Sequence, residues 1–202
     1  MTSSLHIKRI SDYKALILDM DGTLYYHSPV RICMAIELFF YYLFRLNRLS
    51  ELFAIYEYRK NYERGQLQTP DSNIIYWMEK RPKKYIRIFR DKRLINIAER
   101  MQQQGAKIVV YSDYPLKEKL KALSPFNPDL YFSAGDPEIQ CLKPDSKGLL
   151  HIINILNLPV EDIIFIGDRF EKDGLCAQHA GMDYHILNHN CIIRNQLYRK
   201  IK

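Results

Sequence analysis

The chain has 202 residues, 47% hydrophobic and 26% charged, with only 8 Gly and 9 Pro, a balance that excludes fibrous and disordered classes. Its net charge of +7 favours anionic ligands, but Lys and Arg are spread along the chain with no basic run interleaved with aromatics, so nucleic acid is not the expected partner. Four separated cysteines (Cys33, Cys141, Cys176, Cys191) and no signal-peptide pattern over residues 1–11 exclude a disulfide framework and suit a reducing cytoplasm.

Residues 15–18 form a continuous apolar run that stops at Asp19, the pattern of a strand buried on both faces of a parallel sheet. Ser28-Pro29 then predicts a helix start. Ile32, Ile36, Phe39, Phe40, Leu43 and Leu46 follow at helical spacing, with Met34, Leu38, Tyr41 and Tyr42 as a second apolar face. Such a helix is expected to be enclosed on most sides, by neighbouring helices or by a partner subunit in a homodimer. It is too short to span a membrane and contains Glu37. Further helices are predicted over residues 50–65 and 72–80, the latter ending before Pro82. On the former, Tyr56, Tyr58, Arg59, Lys60, Tyr62 and Arg64 either pack or line a substrate pocket.

Residues 91–104 read as an amphipathic helix stopped by Gly105, and residues 108–111 as a strand that delivers Ser112. A short strand is predicted at 130–132, a helix at 145–156, a strand at 163–166 ending in Gly167-Asp168, a helix at 173–180 and a last strand at 184–187. The tail from Asn190 is expected to form a terminal helix. Alternating strands and helices imply an α/β fold with a doubly wound parallel sheet. The segment between Thr23 and Ser112 is far longer than one crossover, so residues 27–90 are expected to be a small inserted all-helical domain. Residues 1–26 and 91–202 then form the core. Ligands of such sheets bind outside the carboxyl ends of the strands, where Asp19, Ser112 and Asp168 all fall.

The sharpest signal is Asp19-Met20-Asp21-Gly22-Thr23-Leu24 directly after a buried strand. A calcium loop requires Gly at its sixth and Glu at its twelfth position, whereas Gly22 is fourth and Val30 twelfth. The segment resembles the first motif of the haloacid dehalogenase-like hydrolase superfamily. Ser112 resembles the second motif, Lys143-Pro144 the third, and residues 167–173, Gly-Asp-Arg-Phe-Glu-Lys-Asp, the fourth. The insertion stands where that superfamily carries a helical cap on a Rossmann-like core.

The resemblance implies a phosphatase acting on a small phosphorylated metabolite. Asp19 would be the nucleophile that becomes transiently phosphorylated, and Asp21 the general acid and base. Mg2+ would be held by Asp19, the Asp21 backbone carbonyl and Asp168, with Asp173 in support. Lys143 and Ser112, with the backbone amide of Asp113, would bind phosphate oxygens. Asp113 departs from the neutral residue common at its position, and a further carboxylate there needs a cationic partner. His179 and His185 have no expected role. A dehalogenase is disfavoured by Asp21, which ester chemistry uses. The rival readings are a phosphomutase, a nucleic-acid end phosphatase, and a non-catalytic interaction module.

Overall fold

The computed structural model describes residues 8–67, 69–189 and 194; the helix expected from Asn190 onward lies outside them, apart from Arg194. In chain order the elements are strand β1 (Ala15–Leu18), helices α1 (His27–Leu43), α2 (Leu49–Glu63) and α3 (Ser72–Ile75), the last prolonged by a π turn over Tyr76–Lys80. Helices α4 (Lys83–Ile88) and α5 (Lys92–Gln103) lead to β2 (Lys107–Ser112), α6 (Lys117–Leu120) and β3 (Leu130–Ser133). Then come α7 (Lys147–Leu156), β4 (Ile163–Gly167), a π turn (Phe170–Gly174) running into α8 (Leu175–His179), and β5 (Asp183–Ile186).

The five strands form one parallel sheet in the order β3-β2-β1-β4-β5. Every residue of β1 is fully buried, as a central strand covered on both faces must be. Alternate side chains divide between two cores. Leu16, Leu18, Ile108 and Val110 meet Leu94, Ala98 and Met101 of α5 on one face; Ile17, Val109 and Phe165 meet Leu149 and Ile152 of α7 and Cys176 of α8 on the other. Each fully buried Leu or Ile contributes about 1.5–3 kcal/mol. Asp91 caps α5, its carboxylate accepting from the amides of Arg93 at 3.2 Å and Leu94 at 3.1 Å. Leu18 pairs with Val110 on one side and Ile166 on the other, so the ends of β1, β2 and β4 emerge side by side where strand order reverses.

The insertion contains the helices expected of it, together with α4, which the sequence hides because Pro82 reads there only as a stop. Pro82 is also the N-cap of α4, a position at the helix start that proline tolerates. Neighbouring helices enclose one side of α1 and leave the other open. Val30, Met34 and Tyr42 are buried, and Trp77 meets Tyr41 edge-on at 5.0 Å, but Ile32 and Phe39 stay about 60% exposed on the opposite face (61% and 62%). Only one side of this helix finds a partner among the described residues. Among the described residues no helix is long and apolar enough to cross a membrane.

Candidate active site

Asp19 leaves the end of β1 with its amide still bonded to the carbonyl of Ile166, at 2.9 Å. The chain then turns at Gly22, whose φ of +93° suits glycine. A Cβ there would lie 2.0 Å from Oδ2 of Asp168, and one at Gly167 would lie 2.4 Å from the Asp173 side chain. These two glycines make the room in which three acids converge. Asp19, Asp168 and Asp173 are buried, with carboxylate oxygens within 4.8 Å of one another.

Lys143 Nζ lies 2.6 Å from Oδ1 of both Asp19 and Asp173, and its side chain is almost wholly buried. The other Asp173 oxygen accepts from the amides of Asp168 at 3.1 Å and Arg169 at 3.0 Å. Burial raises the Asp19 carboxyl well above its ordinary range; Lys143 opposes the rise, while Asp173 and Asp168 add to it. Asp168 is pushed up to about 6 by burial and by Asp173. Lys143 pairs with Asp19 and Asp173 but not with Asp168, whose Oδ2 lies 3.6 Å from the His189 ring, so one ammonium is shared by a cluster of three acids. Hard oxygen donors this close fit a small divalent cation such as Mg2+.

The Asp21 carboxylate points elsewhere. It receives Lys119 Nζ at 2.7 and 2.8 Å and the hydroxyl of Tyr25. Burial raises its pKa, but Lys119, His27 and Tyr25 together outweigh burial and hold it at about 2. Ser112 is buried at the end of β2, its Oγ accepting from the Tyr114 amide at 3.2 Å, which leaves the hydroxyl proton free for an acceptor. Asp113 has its cationic partner: Oδ2 meets Lys172 Nζ at 2.8 Å and Oδ1 accepts from the Lys143 amide at 3.0 Å. Its charge is thereby neutralised beside the site.

Lys119, Tyr25, Lys172 and Arg194 were missed in the sequence. Lys172 lay inside the fourth motif, and Lys119 carried no local signal beyond a run of lysines. Arg194 is 1% exposed and lies far along the chain, yet it donates to the carbonyls of Gly22 at 2.7 Å and Thr23 at 3.3 Å and meets Asp91 at 3.2 Å. It therefore clamps the first motif to the N-terminus of α5. His179 and His185 stand outside the acidic cluster, as expected; His179 Nδ1 is 3.1 Å from the carbonyl of Pro144.

The site opens into a cavity of about 220 Å³ bounded by the sheet edge below and by α1, α2 and the π turn of residues 76–80 above. Arg59 of the Tyr- and Arg-rich group on α2 reaches this cavity. Tyr62 instead packs, stacked on Tyr114 at 5.1 Å with its hydroxyl donating to the Asp113 carbonyl at 2.9 Å.

A sequence profile of haloacid dehalogenase-like hydrolases matches residues 13–181. No curated protein matches the sequence. Among solved structures, a HAD phosphatase from Thermococcus onnurineus superposes with a TM-score of 0.66 at 20% identity, covering 88% of this chain and 87% of that one. YfnB of Bacillus subtilis, assigned as a HAD hydrolase and solved with magnesium bound, gives 0.62 at 16% identity over 96% and 100%. A Thermotoga maritima protein assigned as a β-phosphoglucomutase gives 0.60 at 20% identity over 90% of each chain. At these identities the structures establish the shared fold. With all four motifs inside the matched segment, the chain belongs to the haloacid dehalogenase-like hydrolase family.

Proposed function

We propose that the protein is a Mg2+-dependent phosphatase of small phosphate monoesters, working through an aspartyl phosphate on Asp19. The observation that carries this reading is the convergence of three buried carboxylates, Asp19, Asp168 and Asp173, the first and last of them bonded to the buried ammonium of Lys143, at the floor of an open cavity. Asp19 attacks phosphorus, the ester P–O bond breaks, and the leaving oxygen takes a proton from Asp21. Water then attacks the acyl phosphate, Asp21 accepts the water's proton, and inorganic phosphate departs. Asp19, the Asp21 carbonyl and Asp168, supported by Asp173, would hold the Mg2+, which offsets the repulsion between carboxylate and phosphate.

The chain's own groups supply the rest. Lys143 holds Asp19 in place and adds fixed positive charge for the phosphoryl oxygens, to which the Ser112 hydroxyl can donate. Lys119 and Tyr25 keep Asp21 ionised at rest, the form that serves as base. Donation in the first step requires a proton on that carboxyl, so the pair with Lys119 must open when substrate binds. Phosphate release from p-nitrophenyl phosphate with Mg2+ tests the reading. Wild type is expected to turn over and Asp19→Asn to lose activity by about 10⁴-fold or more; equal rates in both would remove it. Product analysis separates a phosphatase from a phosphomutase, which would give isomer without free phosphate.

A further inference from the structure

The upper wall of the cavity differs in chemistry from its floor. Val30, Met34 and Leu38 of α1, Ile55 of α2, and Trp77 and Met78 of the π turn face the site, and the other described residues of 27–90 that line the cavity are Pro82, His27, Arg31 and Arg59. Among these described residues none brings a hydroxyl, an amide or a carboxylate. Of the polar members, Arg31 and Arg59 are exposed, at the mouth, and His27 is half-buried with its ring edge-on to Tyr25, while Val30, Met34, Ile55 and Trp77 are buried. The ring of Trp77 is fixed by edge contacts with Tyr41 at 5.0 Å and Tyr76 at 5.3 Å.

A substrate hydroxyl pressed against the Met34, Leu38 and Ile55 side chains loses its water and finds no partner in them, a loss that hydrocarbon does not suffer. The size also limits the occupant. A cavity of ~150 Å³ can hold a benzene ring, so about 220 Å³ takes one six-membered ring or a short alkyl chain beside the phosphoryl group. Resting on the phosphatase reading above, we propose that the substrate is the phosphate ester of an apolar alcohol, with a compact hydrocarbon or aromatic body seated against Met34, Leu38, Ile55 and Trp77. Polyhydroxylated sugar phosphates are then poor substrates.

The decisive comparison is cyclohexylmethyl phosphate against glucose 6-phosphate, primary esters of similar shape that differ chiefly in ring hydroxyls. The wild-type protein with Mg2+ is expected to show a kcat/KM about 100-fold higher for the cyclohexylmethyl ester. Binding is read separately in Asp19→Asn through the fluorescence of Trp77, the chain's single tryptophan, with the cyclohexylmethyl ester expected at least tenfold tighter. Equal affinities, or a preference for glucose 6-phosphate, would overturn the inference even if p-nitrophenyl phosphate is hydrolysed. Selective binding without any turnover would instead overturn the phosphatase reading and leave the apolar pocket standing.

A separate observation concerns the outer face of α1. Ile32, Ile36, Phe39, Phe40, Leu43, Phe44 and Leu46 are each 47–78% exposed. At ~200 Å² per fully exposed large side chain they present roughly 800 Å² of apolar surface, beyond the largest patch of an ordinary monomer and equal to one partner's share of a standard interface. Of the cations beside it, Arg48 is paired with Glu51 and Arg45 lies over the Tyr41 ring at 4.4 Å, so both are engaged on the surface itself, which suits a protein partner better than an anionic lipid. We infer that a second copy of this chain covers this face. Light scattering is expected to give twice the chain mass for the wild type and the single mass for Phe39→Glu, whose side chain is too exposed to be needed for folding. A monomeric wild type, whether or not it binds lipid vesicles, or a variant that stays dimeric, would overturn it.

Discussion

At the sheet edge, three buried carboxylates crowd within 4.8 Å of one another, two of them on one ammonium, whereas the inserted helices meet the same cavity with Val30, Met34, Leu38, Ile55 and Trp77 and, among the described residues, no acid. The two walls bring different kinds of energy. Dense fixed charge acts on a phosphoryl group whose charge shifts during reaction, so it bears on the chemical step. Apolar contact with the body of the ester is equally strong before and during reaction, so it bears on binding. Substitutions in the floor should therefore lower kcat, and substitutions in the upper wall should raise KM.

Lys143→Ala tests the floor most severely. Removing the ammonium that joins Asp19 and Asp173 is expected to lower kcat/KM by about 10²–10³-fold. Thermal stability should fall as well, by about 3–5 kcal/mol, because buried like charges lose their partner. Added Mg2+ should restore part of that loss in a melting experiment; a variant with wild-type kcat and Tm would contradict the assignment.

Arg194→Met comes next. It strips the Gly22 and Thr23 carbonyls and Asp91 of a buried cation, and about 3 kcal/mol of stability should go with it. Activity at low temperature should survive better than Tm, as suits a residue that clamps the loop without facing substrate. A smaller effect is expected in the upper wall: Leu38→Asn should raise KM for an aryl or alkyl ester about tenfold at nearly unchanged kcat. A fall in kcat with constant KM would erase the distinction between the walls.

The mildest test is pH. Asp168, raised to about 6 by burial and Asp173, must give up its proton to a metal ion. Calorimetric Mg2+ affinity should therefore weaken as pH falls through about 6, by at most tenfold per further unit for this group. A pH-independent affinity would take Asp168 out of the ion's surroundings.

How much of this was legible in the sequence followed from locality. β1 and Asp19, β2 and Ser112, and β4 and Asp168 are each an apolar run with its functional residue directly attached, so strand and site were read together. Lys119, beside Asp21 in space but 98 residues away in the chain, announced nothing. Arg194 lies 172 residues from Gly22 and announced no more. The insertion was readable as helices because its apolar residues repeat at helical spacing, yet periodicity cannot say which of two apolar faces meets the cavity. Only packing showed that Met34 and Leu38 turn inward while Ile32 and Phe39 turn out. Asp113, an unexplained carboxylate in the sequence, is accounted for by Lys172, whose meeting with it depends on how β2 and β4 flank β1.

Hydride trapping during turnover shows whether Asp19 carries the phosphoryl group. Borohydride added to wild-type protein turning over p-nitrophenyl phosphate with Mg2+ should convert residue 19, and no other aspartate, to homoserine, as located by peptide mass spectrometry. Efficient turnover with residue 19 left as unmodified aspartate, or trapping at Asp21 or Asp168 instead, would contradict the account.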